Sequence, residues 1–395
     1  MAVASARGDR LLSLDVMRGA TIMGMILVNN PGSWGHLYWP LAHAPWHGWT
    51  PTDLIFPFFV FMVGVSMAYS FRKFEAGQSK TPALRKVIQR TVVLILLGLL
   101  LNSSGQWLGL IAGERTDISF ATIRLPGVLQ RIALAYLGAS LVVLYCTVEV
   151  RWLIGALLLF GYAALLLLLP RGETVTDRLS PSGNIVRVVD LAVLGPNHMY
   201  TQAREEKTDP EGLLSTLPAI VTALLGFAVG RYLQQDLLSI QRVLSLLAIG
   251  IGLAAIGQAW HFIDPAWGGM PINKKLWTSS FVLLTAGLGT ISLVVSLWLF
   301  DMLGANSQAL KRVATAFQMV GVNAIFVFVA SGIGARIFGM IPWGETNLRA
   351  AYYQTFFVGP FGDGKFASLG FAVSMVAFWW FVLWLMWRKG WSIRV

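Results

Sequence analysis

The chain has 395 residues, of which 56% are hydrophobic and 12% charged, with a formal net charge of +11. A soluble domain carries roughly 25% charged residues, so this chain cannot cover a water-facing surface, which excludes a soluble globular enzyme or binding module. The basic balance does not call for a nucleic-acid partner, because membrane proteins keep Lys and Arg in their cytoplasmic loops and topology alone accounts for it.

Met1 to Arg10 is short and polar, with Arg7 and Arg10. The apolar run that follows is not ended by a small-residue cleavage site, which marks a retained first span and not a signal peptide. Apolar stretches of roughly 18 or more residues then recur from end to end, the signature of transmembrane helices. The pattern predicts an all-α polytopic membrane protein, with 1–395 as a single transmembrane domain. About ten transmembrane helices are expected, near 14–30, 53–73, 87–103, 125–147, 151–169, 212–233, 241–262, 276–303, 313–332 and 366–387. An eleventh, partly buried helix is expected between Leu348 and Val358. No internal repeat is visible, so the inverted-repeat plan of many transporters has no support. Cys146, the single cysteine, lies in an apolar run and excludes an internal disulfide and a cysteine-based metal or redox motif.

Orientation follows from the Lys/Arg asymmetry. Arg72, Lys73, Arg85, Lys86 and Arg90 share one side with Arg151, Arg231, Arg242, Lys311 and Arg312. Both termini fall there too, with Arg388, Lys389 and Arg394 at the C-terminal end. That side is read as cytoplasmic. The connections 31–52, 171–211, 263–275 and 333–365 are read as periplasmic loops, and 31–52 holds no Lys or Arg at all. Loops presented by a rigid scaffold carry function, so the chemistry is expected on the outer face.

The densest outer segment, Asn29 to Asp53, holds His36, His43 and His47 together with Trp34, Trp39, Trp46 and Trp49. Taken singly, the tryptophans fit an aromatic interface belt, although aromatic faces also stack on sugars. Three imidazoles need another reason. His43 and His47 stand four apart, a metal-ligand spacing on a helix. Pro45 and Gly48 argue against a helix there, and no cysteine or acidic cluster completes a ligand set apart from Asp53. A general base or acyl-accepting histidine is the better reading, since imidazole titrates near neutral pH. Such a base needs a neighbour to orient its ring and a donor for the oxyanion. Asn29 or Asn30, at the outer end of the first span, and Asp53, at the start of the second, are the candidates. Asp53 also adjoins the apolar run LIFPFFVFMVGV, where a carboxylate is a functional hypothesis by default.

Further along, TDPEGLLSTLPAI opens a helix with Asp209 as N-cap, Pro210 at the first position and Glu211 in the first turn. The same helix start is compatible with substrate binding by Asp209 and Glu211. In GGMPINKKLWTSSF, Lys274 and Lys275 sit on the wrong side for the positive-inside rule. Snorkelling explains them; the functional alternative is a phosphate or pantetheine amide held by Asn273 and Lys274. Asp15 and Arg18, three apart, are expected to pair. Arg131 lies well inside the fourth span and must face the interior and find a partner, while His261 is expected to satisfy a helix-end contact.

The stretches RLLSLDVMRG, HAPWHGWTPTDLIFPFFVFMVGVS, RLPGVLQRIALAY, DPEGLLSTLPAI and PINKKLWTSSFVL, in that order, together resemble the heparan-α-glucosaminide N-acetyltransferase family, closest to its bacterial, NagX-like members. The resemblance is collinear from about Arg10 to GVNAIFVFV in the ninth span. It implies acetyl transfer from cytosolic acetyl-CoA to the free amine of a glucosamine on the far side of a membrane. It also implies His43 as the functional histidine and Asn29 as the family asparagine, with a Asn29-to-His43 spacing a few residues longer than in the family. His47 stands where some members have Asn and receives no catalytic role from the resemblance. Under this reading Trp46, His47, Asp209 and Glu211 meet the acceptor. Asn273 and Lys274 meet the donor, whose pantetheine arm passes spans lined by Arg131 and Asn323. Its phosphates would attract the cytoplasmic Arg and Lys. No metal is expected, the bilayer and an amino sugar are the partners, and a homodimer is carried over from the family. The location implied is a bacterial inner membrane. An amino-sugar permease without chemistry, and an acyltransferase acting on another glycan acceptor such as a hydroxyl, are the competing readings.

Overall fold

The computed structural model describes residues 11–75, 79–169, 177–201, 208–235 and 239–393. Met1 to Arg10 and Arg394, read above as cytoplasmic, lie outside the described residues, as do 170–176 and 202–207 of the long loop 171–211. The described chain is built from helices: α1 (Leu12–Asn29), α2 (Ile55–Glu75), α3 (Thr81–Ile111), α4 (Val128–Tyr145), α5 (Val148–Leu168), α6 (Ile185–Leu194), α7 (Thr216–Gln234), α8 (Ile240–Phe262), α9 (Ser279–Ser296), α10 (Gln308–Val322), α11 (Ala324–Met340), α12 (Leu348–Tyr353) and α13 (Lys365–Arg388). The described strands are β1 (Pro342–Trp343) and β2 (Thr346–Asn347), a two-residue antiparallel pair.

Among the described residues, eight helices are long and apolar enough to cross a membrane, and they coincide with eight of the ten expected spans. The other two differ. The span expected at 87–103 belongs to α3, whose apolar run Thr91–Leu101 lies between Arg90 and the polar stretch Asn102–Gln106. The span expected at 313–332 is broken at Asn323, where α10 and α11 meet at a 70° bend, so this pair makes at most a ninth crossing. The helix expected at 348–358 is present as α12 and continues through a wide turn to Val358. At a rise of about 1.5 Å per residue it is only about 16 Å long and falls short of the roughly 30 Å hydrocarbon core.

Without a hydrophobic drive between helices in lipid, small residues let backbones touch. A Cβ on Gly64 of α2 would stand 1.9 Å from the Ala223 carbonyl oxygen of α7, and one on Gly226 would stand 2.1 Å from that of Phe61. The same close approach joins α1 to α10 at Gly19 and Gly321. The α2–α7 pair, with α4 and α9 beside it, forms the centre of the bundle, where Phe56, Val60, Tyr136, Ala223, Trp277 and Phe281 pack together. By contrast α5, α8 and α13 leave most of their apolar surface exposed. Asp15 and Arg18 pair as expected, at 3.4 Å.

One end of the bundle collects the long connections. Trp46 reaches Leu179, Lys275 reaches Pro45, and Gly48 donates to the Ile272 carbonyl. Gly32 is tied to Ser368, and Arg349 donates to the Pro31 carbonyl.

Candidate active site

The segment between α1 and α2 is not helical at the histidines. A short 3-10 turn at Trp39–Leu41 is followed by extended backbone, and Gly48 turns the chain with φ +93°. A second 3-10 turn, Pro51–Leu54, then feeds α2. It is opened by a capping box in which the Asp53 side chain accepts from the Thr50 backbone N–H while Thr50 caps in return. This turn drives Asp53 inward, so that it is 1% exposed.

The Asp53 carboxylate is saturated. Oδ2 accepts from Ala44 N (3.0 Å), Thr50 N (3.1 Å) and Thr50 Oγ1 (3.2 Å). Oδ1 lies 2.7 Å from His43 Nδ1 and 3.3 Å from Lys274 Nζ. An ammonium and an N–H both donate, so Nδ1 carries its proton toward the carboxylate, and the 3.2 Å approach of Lys274 Nζ to Nδ1 reflects two donors sharing one oxygen. That assigns the tautomer: in the neutral ring the lone pair is on Nε2, on a side chain that is 48% exposed. A buried, fully bonded carboxylate holding an exposed imidazole by Nδ1 is the arrangement of an oriented general base.

Lys274 belongs to this cluster. Burial depresses its ammonium below the ordinary lysine range, and the negative charges of Asp53 and Glu211 oppose that drop. The loop that carries it is built by Asn273, whose Oδ1 accepts from Leu276 N, and it ends at Trp277 with φ +51°. A bulky residue at positive φ is strained. It is held by burial, by its indole N–H donating to Thr222 Oγ1, and by Arg131 over its ring at 5.1 Å. Asn273 Nδ2 approaches His47 Nδ1 at 3.4 Å, and burial lowers the His47 imidazole below its ordinary range. His261 accepts from Ile272 N, the local contact expected of it.

Arg131 is 1% exposed. It donates to the Gly212 carbonyl and Ser215 Oγ at the start of α7, so its partners are helix-start groups and the Trp277 ring. Asp209 and Glu211 do not face open solvent: Arg124 spans both, at 2.7 and 2.6 Å. Asp209 also accepts from Glu211 N and Tyr200 N, but these bonds close a tight turn and not a helix: α7 begins at Thr216 after Ser215, so the helix start expected at Asp209, Pro210 and Glu211 falls short of the real one, and Asp209 is held by the turn and by Arg124. Asp190, on α6, accepts from Leu213 N and Leu214 N, and burial pushes its carboxyl up to about 6. Arg124, Thr50 and Asp190 are the residues that motif reading passed over as site members. The T-P-T-D spelling at Thr50–Asp53 is a sequence signal for Thr50; Arg124 and Asp190 have none.

The structure brings together His43, Asp53, Lys274, Asn273 and His47. Asn29 lines a cavity of about 350 Å³ between α1, α3, α4 and α11, together with Asn102, Arg124, Gln130 and Arg336. Trp46 has its indole N–H on the Leu179 carbonyl and Lys275 against its ring, so it is wedged in the wall of the site. Asn323 stands at the α10–α11 break, its Oδ1 accepting from Ile393 N beyond α13; among the described residues it makes no hydrogen bond with the His43 cluster. Among the described residues no three His, Cys, Asp or Glu side chains converge as a metal site.

A family model for the catalytic region of heparan-alpha-glucosaminide N-acetyltransferase matches residues 10–260. The heparan-alpha-glucosaminide N-acetyltransferase of Homo sapiens is 28% identical over 376 residues, covering 85% of this chain and 54% of that protein. Its Mus musculus counterpart is 28% identical over 366 residues, covering 81% and 53%. The chain therefore spans about half the length of the curated relatives it matches.

Proposed function

This chain belongs to the heparan-alpha-glucosaminide N-acetyltransferase catalytic family, and from that premise we propose that it is a membrane acetyltransferase moving acetyl from acetyl-CoA to the amine of a glucosamine-type sugar. The observation that carries the reading is the His43–Asp53 pair, with Nδ1 held at 2.7 Å and Nε2 left to work. A permease that moves no proton has no need of an oriented base.

A thioester is already activated, so the protein mainly has to position two reactants and move one proton. The acceptor nitrogen attacks the thioester carbonyl, the C–N bond forms, and the C–S bond breaks with the thiolate leaving as CoA. Nε2 of His43 takes the proton the amine loses. In the carrier version Nε2 takes the acetyl group first and passes it on; acid quenching of a single turnover with labelled acetyl-CoA separates the two, because only the carrier leaves label on the protein. Asp53 orients the ring and stabilises the imidazolium. Lys274 keeps Asp53 ionised. Asn29, Asn102 and Arg124 line a polar cavity of a size usual for small-molecule sites, suited to the hydroxyls of the sugar. Asp209 and Glu211 hold Arg124 in place there.

The Lys and Arg distribution supports a bacterial inner-membrane protein with both termini cytoplasmic, the donor arriving from the cytoplasm and the acceptor from the periplasm. Purified protein in detergent, given acetyl-CoA and glucosamine, should release free thiol, and His43→Ala should remove that release. No thiol release, together with labelled-sugar uptake in proteoliposomes, would replace the enzyme with the permease. Thiol release with a glycan lacking a free amine would move the acceptor to a hydroxyl.

A further inference from the structure

Small residues on a membrane helix let a neighbouring backbone close in, as Gly64 and Gly226 do between α2 and α7. Gly155 on α5 does the opposite. A Cβ there would meet nothing within 4 Å among the described residues, and Gly155 and Ala156 face a cavity of about 480 Å³ between α5, α7 and α9. The cavity reaches from Val148 to Phe160 along α5, twelve residues and about 18 Å of rise. One leaflet's share of the roughly 30 Å hydrocarbon core is about 15 Å. The groove therefore has the depth of one leaflet.

Its two ends differ in chemistry. At one end the walls are Leu159, Phe160, Val221, Leu224 and Leu283. This apolar end is the one nearer His43, since the Leu159 carbonyl accepts from Ser279 Oγ just after the loop that carries Lys274 and Trp277. At the other end stand Arg151 and Arg231, with Tyr232 and Gln235. Both arginines are held in place. Arg151 donates to the Cys146 and Val143 carbonyls at the end of α4, at 3.0 and 2.6 Å, and lies over the Phe227 ring at 5.6 Å. Arg231 donates to Gln234 Oε1 at 3.2 Å. Arg242 donates to the Tyr232 carbonyl and stands over the Tyr232 ring at 5.1 Å, which adds a third cation beside the mouth. The positive-inside rule accounts for arginines on one side of a membrane. It does not account for their meeting at the head of one apolar groove.

We propose that this groove binds an anionic phospholipid of the leaflet on the Arg151 side, with its phosphate at Arg151 and Arg231 and an acyl chain along Gly155, Ala156, Leu159 and Leu224. The site needs only that the bundle spans a bilayer, and does not depend on the transferase reading. A guanidinium meets a phosphate through paired, charge-assisted hydrogen bonds. A zwitterionic headgroup would bring its own cation beside three arginines, so the charge favours a net anionic lipid. The chain supplies the van der Waals contacts that Gly155 lacks on this side.

The test uses the full chain in detergent with dioleoyl phosphatidylglycerol, dioleoyl phosphatidylcholine, and glycerol phosphate, a headgroup without chains. Native mass spectrometry reads bound lipid, and a thermal scan reads Tm. Wild type should bind phosphatidylglycerol about tenfold or more tightly than phosphatidylcholine, and its Tm should rise with phosphatidylglycerol concentration. Glycerol phosphate should leave Tm unchanged. Gly155→Leu sends a side chain into the groove; it should keep at least the wild-type Tm in detergent alone and lose the rise with lipid. Arg231→Gln removes one cation without touching the apolar walls and should bind phosphatidylglycerol about tenfold more weakly. Equal affinity for the two lipids, or wild-type lipid binding by both variants, would overturn the assignment. So would a Tm raised by glycerol phosphate alone, which would make this an anion site with no place for a chain. A wild-type dimer that Gly155→Leu dissociates would give the groove to a second copy of this chain and overturn it as well.

Discussion

Replacing Asp53 by Asn changes one atom at the base of the His43 site, and the hydrogen bonds around it decide the consequence. Oδ2 receives three donors, from Ala44 N, Thr50 N and Thr50 Oγ1. The asparagine must therefore place its carbonyl oxygen there. Its NH2 then occupies the Oδ1 position, 2.7 Å from His43 Nδ1 and 3.3 Å from Lys274 Nζ. A donor facing Nδ1–H forces the proton across the ring to Nε2, and the lone pair that takes the amine proton is lost. The bond removed is charge-assisted and worth about 1.5–3 kcal/mol. At 1.36 kcal/mol per decade that is about a 10- to 150-fold fall in kcat. The capping bonds survive, so the protein should still fold. The assay is thiol release at saturating acetyl-CoA and glucosamine, with a monodisperse elution profile as the control for folding. If Asp53→Asn keeps kcat within threefold of wild type, Asp53 does not set the working tautomer.

Other residues give sharper tests of stability. Asp190 is buried with its carboxyl raised to about 6, above the ordinary carboxylate near 3.9. Between those values the folded protein binds the proton more tightly than the unfolded chain. The contribution is therefore full below about pH 4 and is lost as pH rises through about 6, up to about 3 kcal/mol. Asp190→Asn should flatten that part of the Tm–pH curve in detergent, and an unchanged slope would clear Asp190. Arg124→Ala leaves the buried Asp209 carboxylate without its cation, which should cost about 3–5 kcal/mol, visible as a lower Tm and partly recovered in the double variant with Asp209→Asn. A single variant as stable as wild type would show that the pair contributes nothing. Gly64→Ala pushes a methyl group to 1.9 Å from the Ala223 carbonyl oxygen and should destabilise by about 1–3 kcal/mol. Gly155→Ala on α5 meets nothing within 4 Å and should leave Tm unchanged or slightly raised; equal losses at both sites would refute close backbone packing of α2 on α7.

Much of the fold was legible because hydropathy is a local property. Eight of the expected spans needed only an apolar run of sufficient length, and each is a helix of that kind. The two that differ have polar interruptions whose effect is not local. Asn323 alone does not spell a 70° bend; the bend also needs α10 packed across α1 at Gly19 and Gly321. His43 and Asp53 were legible as chemistry, being a titratable ring and a carboxylate beside an apolar run. Their pairing was a matter of reach until the Pro51–Leu54 turn drew the carboxylate inward. Lys274 was legible as a cation for an anion, but not as the partner of a carboxylate. From sequence, an outer-loop lysine next to Asn273 looks like an anion ligand, and only the folded loop shows that the anion it meets is Asp53. Asp209, Pro210 and Glu211 spell a helix start, yet the chain makes a tight turn there and α7 begins only at Thr216; Arg124 lies far from them along the chain, and nothing in either segment names the other.

Composition by itself therefore determined that this chain is a bundle of apolar helices, and residue type determined which side chains could do acid–base work. Burial of runs and titration of rings are properties of single segments, and a sequence displays them. The tertiary structure alone decided which charges meet. It set His43 and Lys274 on one carboxylate oxygen, Arg124 across Asp209 and Glu211, and Asn29 with Arg124 on one cavity. Such meetings depend on distances between segments that only close helix packing can fix.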